Sequence, residues 1–263
     1  MSIRIIQWNI SSGSNPTAIA EFLTDMIKEK TVVALQEVTQ KHIHILVQNL
    51  MPQQYIYSLD MRQPGKNEGR NRKLGVAIFT FGVSIDSYNL LDRTIFPERT
   101  LFARIDIGSF TTGILNFHSL TGVGYKKAKT SNFAAIADFM EETSNQMDFA
   151  CFDANEPEID SFDENSVKFW DNKDKGFYAS LILGKNRVHP LNDSLRTLLK
   201  NNGTTSVDTP LAVSYMAQNI PRRYDHIYHS EKWNVLNVQY PFSESIEASS
   251  DHSAVIGDFE FKI

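Results

Sequence analysis

Asp251 and His252 stand side by side in the sequence Ser249-Ser250-Asp251-His252-Ser253, directly ahead of the apolar run Ala254-Val255-Ile256. A carboxylate is a hard oxygen ligand, and an imidazole moves a proton near neutral pH. Alone, the pair would serve equally well in a polar turn before a strand. The rest of the chain repeats the pattern: a strand-like run ends on, or is entered through, a residue able to bind a metal or carry a proton. Asn9 follows the run at residues 4–8, Glu37 the run at 31–36, and His118 the run at 112–117. Asp153 with Asn155 follows 147–152, and Asp225 precedes Ile227-Tyr228. Polar groups at strand ends can converge on one rim of a sheet. Carboxylate, amide and imidazole without cysteine suit Mg2+ or Mn2+ better than a closed zinc site. They also suit attack of water on a phosphate ester, in which the ion neutralises charge while His or Asp moves protons. A Ser or Cys nucleophile is disfavoured, since Cys151 lies inside an apolar run and no serine sits in an elbow motif.

The elements that must position these residues are legible in outline. Asn15-Pro16 signals a helix start, with Ile19, Phe22, Leu23, Met26 and Ile27 on one helical face. Ile43, Leu46, Val47 and Leu50 predict a second helix over 39–50, and Ala134, Ile136, Ala137, Phe139 and Met140 a third. Strands are predicted over 55–59, 74–81, 101–107 and 233–240, with a short helix over 193–199; between 160 and 221 the pattern is weak. Many strands, some helices and no strict alternation predict two packed sheets with helices outside.

Composition is ordinary for a globular chain of 263 residues, 41% hydrophobic and 22% charged, with no repeat or long linker, so a single domain over residues 1–263 is expected. A net charge of −5 excludes a protein that coats nucleic acid through a broad positive field, while leaving room for a local patch. The one cysteine excludes an internal disulfide and fits a reducing compartment. The first residues enter a strand pattern without a signal-peptide core, and no stretch reaches membrane-spanning length; a cytoplasmic protein is expected.

Six segments carry a family resemblance. Gln7-Trp8-Asn9-Ile10, Leu35-Gln36-Glu37-Val38, Asn116-Phe117-His118, Phe152-Asp153-Ala154-Asn155-Glu156-Pro157, Arg223-Tyr224-Asp225-His226-Ile227 and Ser250-Asp251-His252 resemble, in this order, the motifs of the endonuclease/exonuclease/phosphatase superfamily, the DNase I-like fold. Singly each is weak; six in order are specific. The resemblance implies an α/β fold: a four-layered α/β/β/α sandwich of two mixed β-sheets, packed face to face with helices outside. It further implies phosphoester hydrolysis with a divalent metal. By resemblance Glu37 is the principal metal ligand, with Asn9 beside it and Asp251 contributing. Asp153 and Asn155 match the pair that orients the attacking water and the phosphate oxygens. His118 and His252 match the histidines that bracket the scissile phosphate, and Asp225 the carboxylate that holds a histidine.

Gly69-Arg70-Asn71-Arg72 resembles the Gly-Arg-Asn loop of DNase I-like nucleases, making Arg70 and Arg72 candidate substrate contacts. Departures exist. Phe152 replaces the glycine of the common Gly-Asp-Phe-Asn, and the acid that pairs with a catalytic histidine is not evident after residue 72. His118 stands where apurinic endonucleases carry tyrosine, which lowers a DNA-repair reading. The expected substrate is a phosphoester, with nucleic acid first. A phosphatase or phospholipase acting on an inositol phosphate, sphingomyelin or nucleotide-like ester is the enzymatic rival, and a non-catalytic binding protein of the same fold the other. The residue-level alternatives are structural: Asn9 capping a turn, Glu37 a solvated acid at a helix start, Asp225 paired with Arg223. His42, His44, His189, His226 and His229 match no motif and are expected at the surface or in the core.

Overall fold

The described residues of the computed structural model are 1–63, 70–125, 127–143, 146–170 and 174–262, with Arg70 and Asn71 described by backbone alone. The strands among them are β1 (Ser2–Asn9), β2 (Thr31–Val38), β3 (Gln54–Tyr57), β4 (Gly75–Phe81), β5 (Ser84–Asn89), β6 (Thr100–Asp106), β7 (Thr111–His118), β8 (Phe149–Asp153), β9 (Asn192–Asp193), β10 (Tyr215–Ala217), β11 (Ile220–Arg222), β12 (Asp225–His229), β13 (Trp233–Gln239) and β14 (Val255–Phe261). One six-stranded sheet runs β13-β14-β1-β2-β4-β3, a second β5-β6-β7-β8-β12-β9, and β10-β11 forms a separate hairpin. Both large sheets are mixed: β1 pairs parallel with β2 and antiparallel with β14, while β7 pairs parallel with β8 and β8 antiparallel with β12.

Side chains alternate between the two faces of a strand, and here both faces are apolar because both are covered. Ile3, Ile5, Val32, Ala34, Ile114, Phe149, Cys151 and Ile227 meet between the sheets. Their alternates Ile6, Trp8, Val33 and Leu35 face outward onto Ile19, Leu23, Ile43 and Leu46 of α1 (Pro16–Met26) and α2 (Gln40–Leu50). Two single-turn helices follow, α3 (Ser58–Met61) and α4 (Gly122–Tyr125). On the other side Leu115, Phe117, Ala150 and Phe152 pack on Phe133, Ile136, Met140 and Ile182 of α5 (Lys127–Glu142) and α6 (Phe177–Leu183). The chain closes with α7 (Ser194–Asn201) and α8 (Phe242–Glu247). This is the expected sandwich of two mixed sheets between helical layers.

Local signals act where they were read. Asn15 caps α1 by accepting the Thr17 N–H at 3.1 Å, and Asp193 caps α7 through the N–H groups of Leu195 and Arg196. The segment expected as a strand over 55–59 is instead the four residues of β3 running into α3. The sequence signal missed β5, a largely exposed edge strand without apolar alternation, and the seven-residue α6. No helix of the described residues is long and apolar enough to cross a membrane.

Candidate active site

The apolar inter-sheet face turns polar at one end, and strand parity fixes which residues arrive there. Counting by twos from Ile5 gives Gln7 and Asn9; from Ala34, Gln36; from Ile114, Asn116 and His118; from Cys151, Asp153; and backward from Ile227, Asp225. Register brings these ends together. Asn9 is level with Gln36, His118 with Asp153, and Asp153 with Asp225. Gln7 is level with Val255, so residues 251–253 lie at the same rim.

At the centre, His252 Nδ1–H donates to Asp225 Oδ2 at 2.7 Å, leaving Nε2 4.0 Å from Asp153 Oδ2. Ligand atoms of Asp153, Asp225 and His252 lie within 4.8 Å of one another, and all three residues are buried. Asn9 Nδ2 donates to Asp153 Oδ2 at 2.9 Å, while its Oδ1 accepts the Ser11 N–H. The Asn155 backbone N–H donates to Asp153 Oδ1 at 2.8 Å, and its Nδ2 donates to the Ser119 carbonyl. His118 Nε2 lies 3.5 Å from Asp153 Oδ2 and 3.8 Å from Glu37 Oε1. Glu37 and Asn155 are the part-exposed members, and the Ser12 N–H donates to Glu37 Oε2 at 3.0 Å.

Two of these residues sit in backbone conformations that cost energy. Glu37 has φ +56° and Asn155 φ +49°. Asparagine tolerates the left-handed region, whereas glutamate there carries strain on the order of 1–3 kcal/mol. A bulge in the β2–β4 ladder between Leu35 and Val38 turns Glu37 out of the strand. Glu37 is therefore a strand-end residue and not a helix-start acid. Strain of this kind is held where surrounding contacts determine the conformation, and it gathers at functional sites.

Electrostatics divides the two histidines. Burial alone would lower His252, but the Asp225 and Asp153 carboxylates override it and raise its pKa to about 10. His118 is held well below the usual imidazole range, by burial first and then by the charges of Arg99 and His252. Asp153 is raised to about 7, chiefly by burial, with the Asp225 charge adding to it. At neutral pH the site holds an imidazolium at 252, a neutral imidazole at 118, and a carboxyl at 153 near its titration point.

The sequence-derived candidates Asn9, Glu37, His118, Asp153, Asn155, Asp225 and His252 form this one cluster. Asp251 is exposed beside it and accepts no hydrogen bond among the described residues; its charge acts on His252 and Tyr215. Arg72 lies apart: its Nη1 donates to both oxygens of buried Glu98 at 3.1 and 3.2 Å, and its guanidinium stacks 4.0 Å from the Phe96 ring centroid. The Arg70 side chain and Gly69 fall outside the described residues. Arg223 does not pair with Asp225; it binds Asp160 and Asp193. The acid missing from the sequence pattern is missing in space as well, since His118 Nδ1 is buried and meets no hydrogen-bond partner among the described residues.

Several residues escaped sequence reasoning. Gln7 Nε2 donates to Asp225 Oδ1 at 2.9 Å and to Gln36 Oε1 at 2.8 Å, Gln36 Nε2 donates to Asn116 Oδ1 at 2.7 Å, and Asn116 Nδ2 donates to the Leu35 and Ala77 carbonyls. These amides fix Asp225 from behind; strand parity with Asn9 and His118 was the signal that could have found them. Ser214 Oγ accepts the Tyr224 and Asp225 N–H groups, and its carbonyl accepts the Ser253 N–H. The Tyr215 ring lies over the His252 imidazole, centroids 4.6 Å apart and planes at 28°. Both belong to the weakly patterned region, where no sequence signal marked them. Arg99 is 4% exposed, and its charge acts on His118.

No family model and no curated protein matches this chain. Solved structures do. TDP2 from D. rerio complexed with a single-strand DNA product superposes at TM-score 0.67 with 13% identity, over 98% of this chain and 99% of that one. The human Nocturnin catalytic domain with bound sulfate gives TM-score 0.67 and 16% identity, over 99% and 95%. An endonuclease/exonuclease/phosphatase from Bacteroides vulgatus gives TM-score 0.64 and 16% identity, over the whole of both chains.

Proposed function

We propose that this chain, which has the DNase I-like fold of the endonuclease/exonuclease/phosphatase superfamily, is a divalent-metal-dependent phosphodiester hydrolase whose first substrate class is nucleic acid. The observation that carries the reading is the His252–Asp225 pair facing buried Asp153, with Glu37, Asn155 and His118 on the same rim. The 263 residues act as one domain, because all six motifs feed this single centre.

The donor set fits a hard cation. Glu37 and Asp251 offer carboxylate oxygens at the open side of a cluster that is otherwise short of positive charge, and Asn9 braces Asp153 from behind. Glu37 and Asp251 would hold Mg2+ or Mn2+, which would supply positive charge beside the phosphate. Asp153, raised to about 7, accepts the proton of the attacking water while the Asn155 N–H and Asn9 amide fix its two oxygens. His252, held as imidazolium by Asp225, presents Nε2 to the phosphate and stabilises the developing charge. His118 presents Nε2 on the other side, and buried Arg99 contributes a fixed positive charge behind it.

The deciding assay offers plasmid, single-stranded DNA, RNA and a panel of small phosphoesters with Mg2+ or Mn2+ and with chelator. Metal-dependent cleavage, strongest on nucleic acid and abolished by His252→Ala, is the expected result. Full turnover by His252→Ala overturns the catalytic assignment, and no turnover on any substrate with metal bound makes the chain a binding protein.

A further inference from the structure

Lys129 closes the basic run Lys126-Lys127-Ala128-Lys129, yet on α5 it is 1% exposed. Lysine is almost never fully buried unless it is paired. Its Nζ donates to Glu156 Oε1 at 2.8 Å and to the Asn155 carbonyl at 2.9 Å, and the Phe133 ring centroid lies 5.7 Å away. Glu156 is fully buried as well, and its Oε2 accepts the Trp170 N–H at 3.0 Å. The carboxylate offsets the cost of burying the ammonium. The other hydrogen bond goes to the backbone of a residue whose side chain stands in the site. Asn155 has φ +49°, its N–H donates to Asp153 Oδ1, and its Nδ2 lies 3.2 Å from the Ser119 carbonyl oxygen and 3.5 Å from His118 Nε2. The N–H fixes the peptide plane before Asn155, and the carbonyl fixes the plane after it. Two fixed planes set φ and ψ, and with them the direction of the Cα–Cβ bond.

We infer that Lys129 is a positioning residue for the hydrolytic centre: through the Asn155 carbonyl it holds the left-handed turn that aims the Asn155 amide and seats the Asn155 N–H on Asp153. Lys129 itself is too deeply buried to meet a substrate. Phe133, Ile136 and Met140 seat its helix on the second sheet, so the ammonium acts from a firm base. The consequence for turnover rests on the hydrolase reading of the site; the consequence for the turn does not.

The test separates positioning from mere support of the fold. It compares the parent chain, Lys129→Met, and the double variant Lys129→Met with Glu156→Gln. Lys129→Met removes both hydrogen bonds, and the double variant removes the buried carboxylate too, so its urea midpoint should lie closer to the parent's. Native-state hydrogen exchange should show the Asn155 amide about tenfold faster in both variants, relative to the amides of β6. On the panel substrate that the parent cleaves fastest, kcat should fall about tenfold to hundredfold in both variants, with KM within about threefold. A double variant that recovers kcat along with its midpoint makes Lys129 only a partner for Glu156 and overturns the inference. Parent-like exchange at Asn155 overturns it as well. If Lys129→Met does not fold, the double variant carries both readings. Failure of the parent to cleave anything on the panel overturns the hydrolase reading instead, and the Asn155 amide then decides whether Lys129 holds the turn.

Discussion

Two buried polar clusters sit within the same sandwich and are built on opposite principles. In one, Arg223 Nε and Nη2 donate to Asp160 at 2.7 Å and Asp193 at 2.6 Å, while Arg196 donates to the same two carboxylates. Two acids meet two guanidiniums, the carboxylates also accept the backbone N–H groups of Leu211 and Leu195, and Asp193 is pulled far below the carboxylate range against its burial. In the other, Asp153, Asp225, Glu37 and Asp251 gather where His252 is the one histidine hydrogen-bonded to a carboxylate, and Asp153 is pushed up to about 7. The first cluster closes its own charge balance and is structural. The second leaves its carboxylates without guanidinium partners, the arrangement that the proposed metal-dependent hydrolase would use.

Among single substitutions, breaking the closed cluster should have the largest effect on stability. Arg223→Met leaves Asp160 and Asp193 buried with one guanidinium between them, and urea unfolding should report a loss of about 3–5 kcal/mol. A loss below about 1 kcal/mol would reduce the cage to the worth of a surface pair.

The open cluster should respond in the other coordinate. His252→Ala is expected to lower turnover by about 10²–10⁴-fold, with a smaller loss of stability than Arg223→Met, because one buried ion pair is broken instead of two and Gln7 Nε2 still donates to Asp225. Equal damage to stability and rate would erase the contrast.

Acid sharpens it further. The buried His189, His226 and His229 are each lowered to about 4, by burial first. As pH falls from about 6.5 to about 4 the unfolded chain takes up these protons before the folded one, so the three imidazoles lower stability through that window; Asp153, raised to about 7, offsets one of them there, and above about 6.5 stability declines with rising pH as the raised His252 loses its advantage. Each imidazole accounts for on the order of 3 kcal/mol at full effect. Urea midpoints of metal-free protein at pH 4.5, 5.5 and 7 measure this; a flat series would show that these rings are not held neutral.

The smallest effect distinguishes the clusters most directly. Mg2+ at a hundredfold its dissociation constant should add about 2.7 kcal/mol to stability. The increment should survive in Arg223→Met and vanish in Glu37→Gln, read by thermal unfolding. Retention in Glu37→Gln would move the ion to another set of residues.

Sequence alone determined the ends of the strands and the order in which chemistry-bearing residues reach them. Apolar alternation sets which face of a strand is buried, and parity carried from Ile5, Cys151 and Ile227 puts Asn9, Asp153 and Asp225 on that same face. Cap residues Asn15 and Asp193 were likewise readable, since capping is local. What only the tertiary structure decided is which polar groups pair. Gln7 and Asp225 are 218 positions apart, and the Arg223 cage draws on residues 160, 193 and 196 from a stretch without periodicity. Arg72 was drawn to Glu98 by a buried charge that no local pattern announces. Periodicity encodes a residue's face and its place along an element, because those depend on neighbours in the chain. Partnership between buried charges depends on how separate elements stack, and that becomes fixed only when the two sheets close on one another.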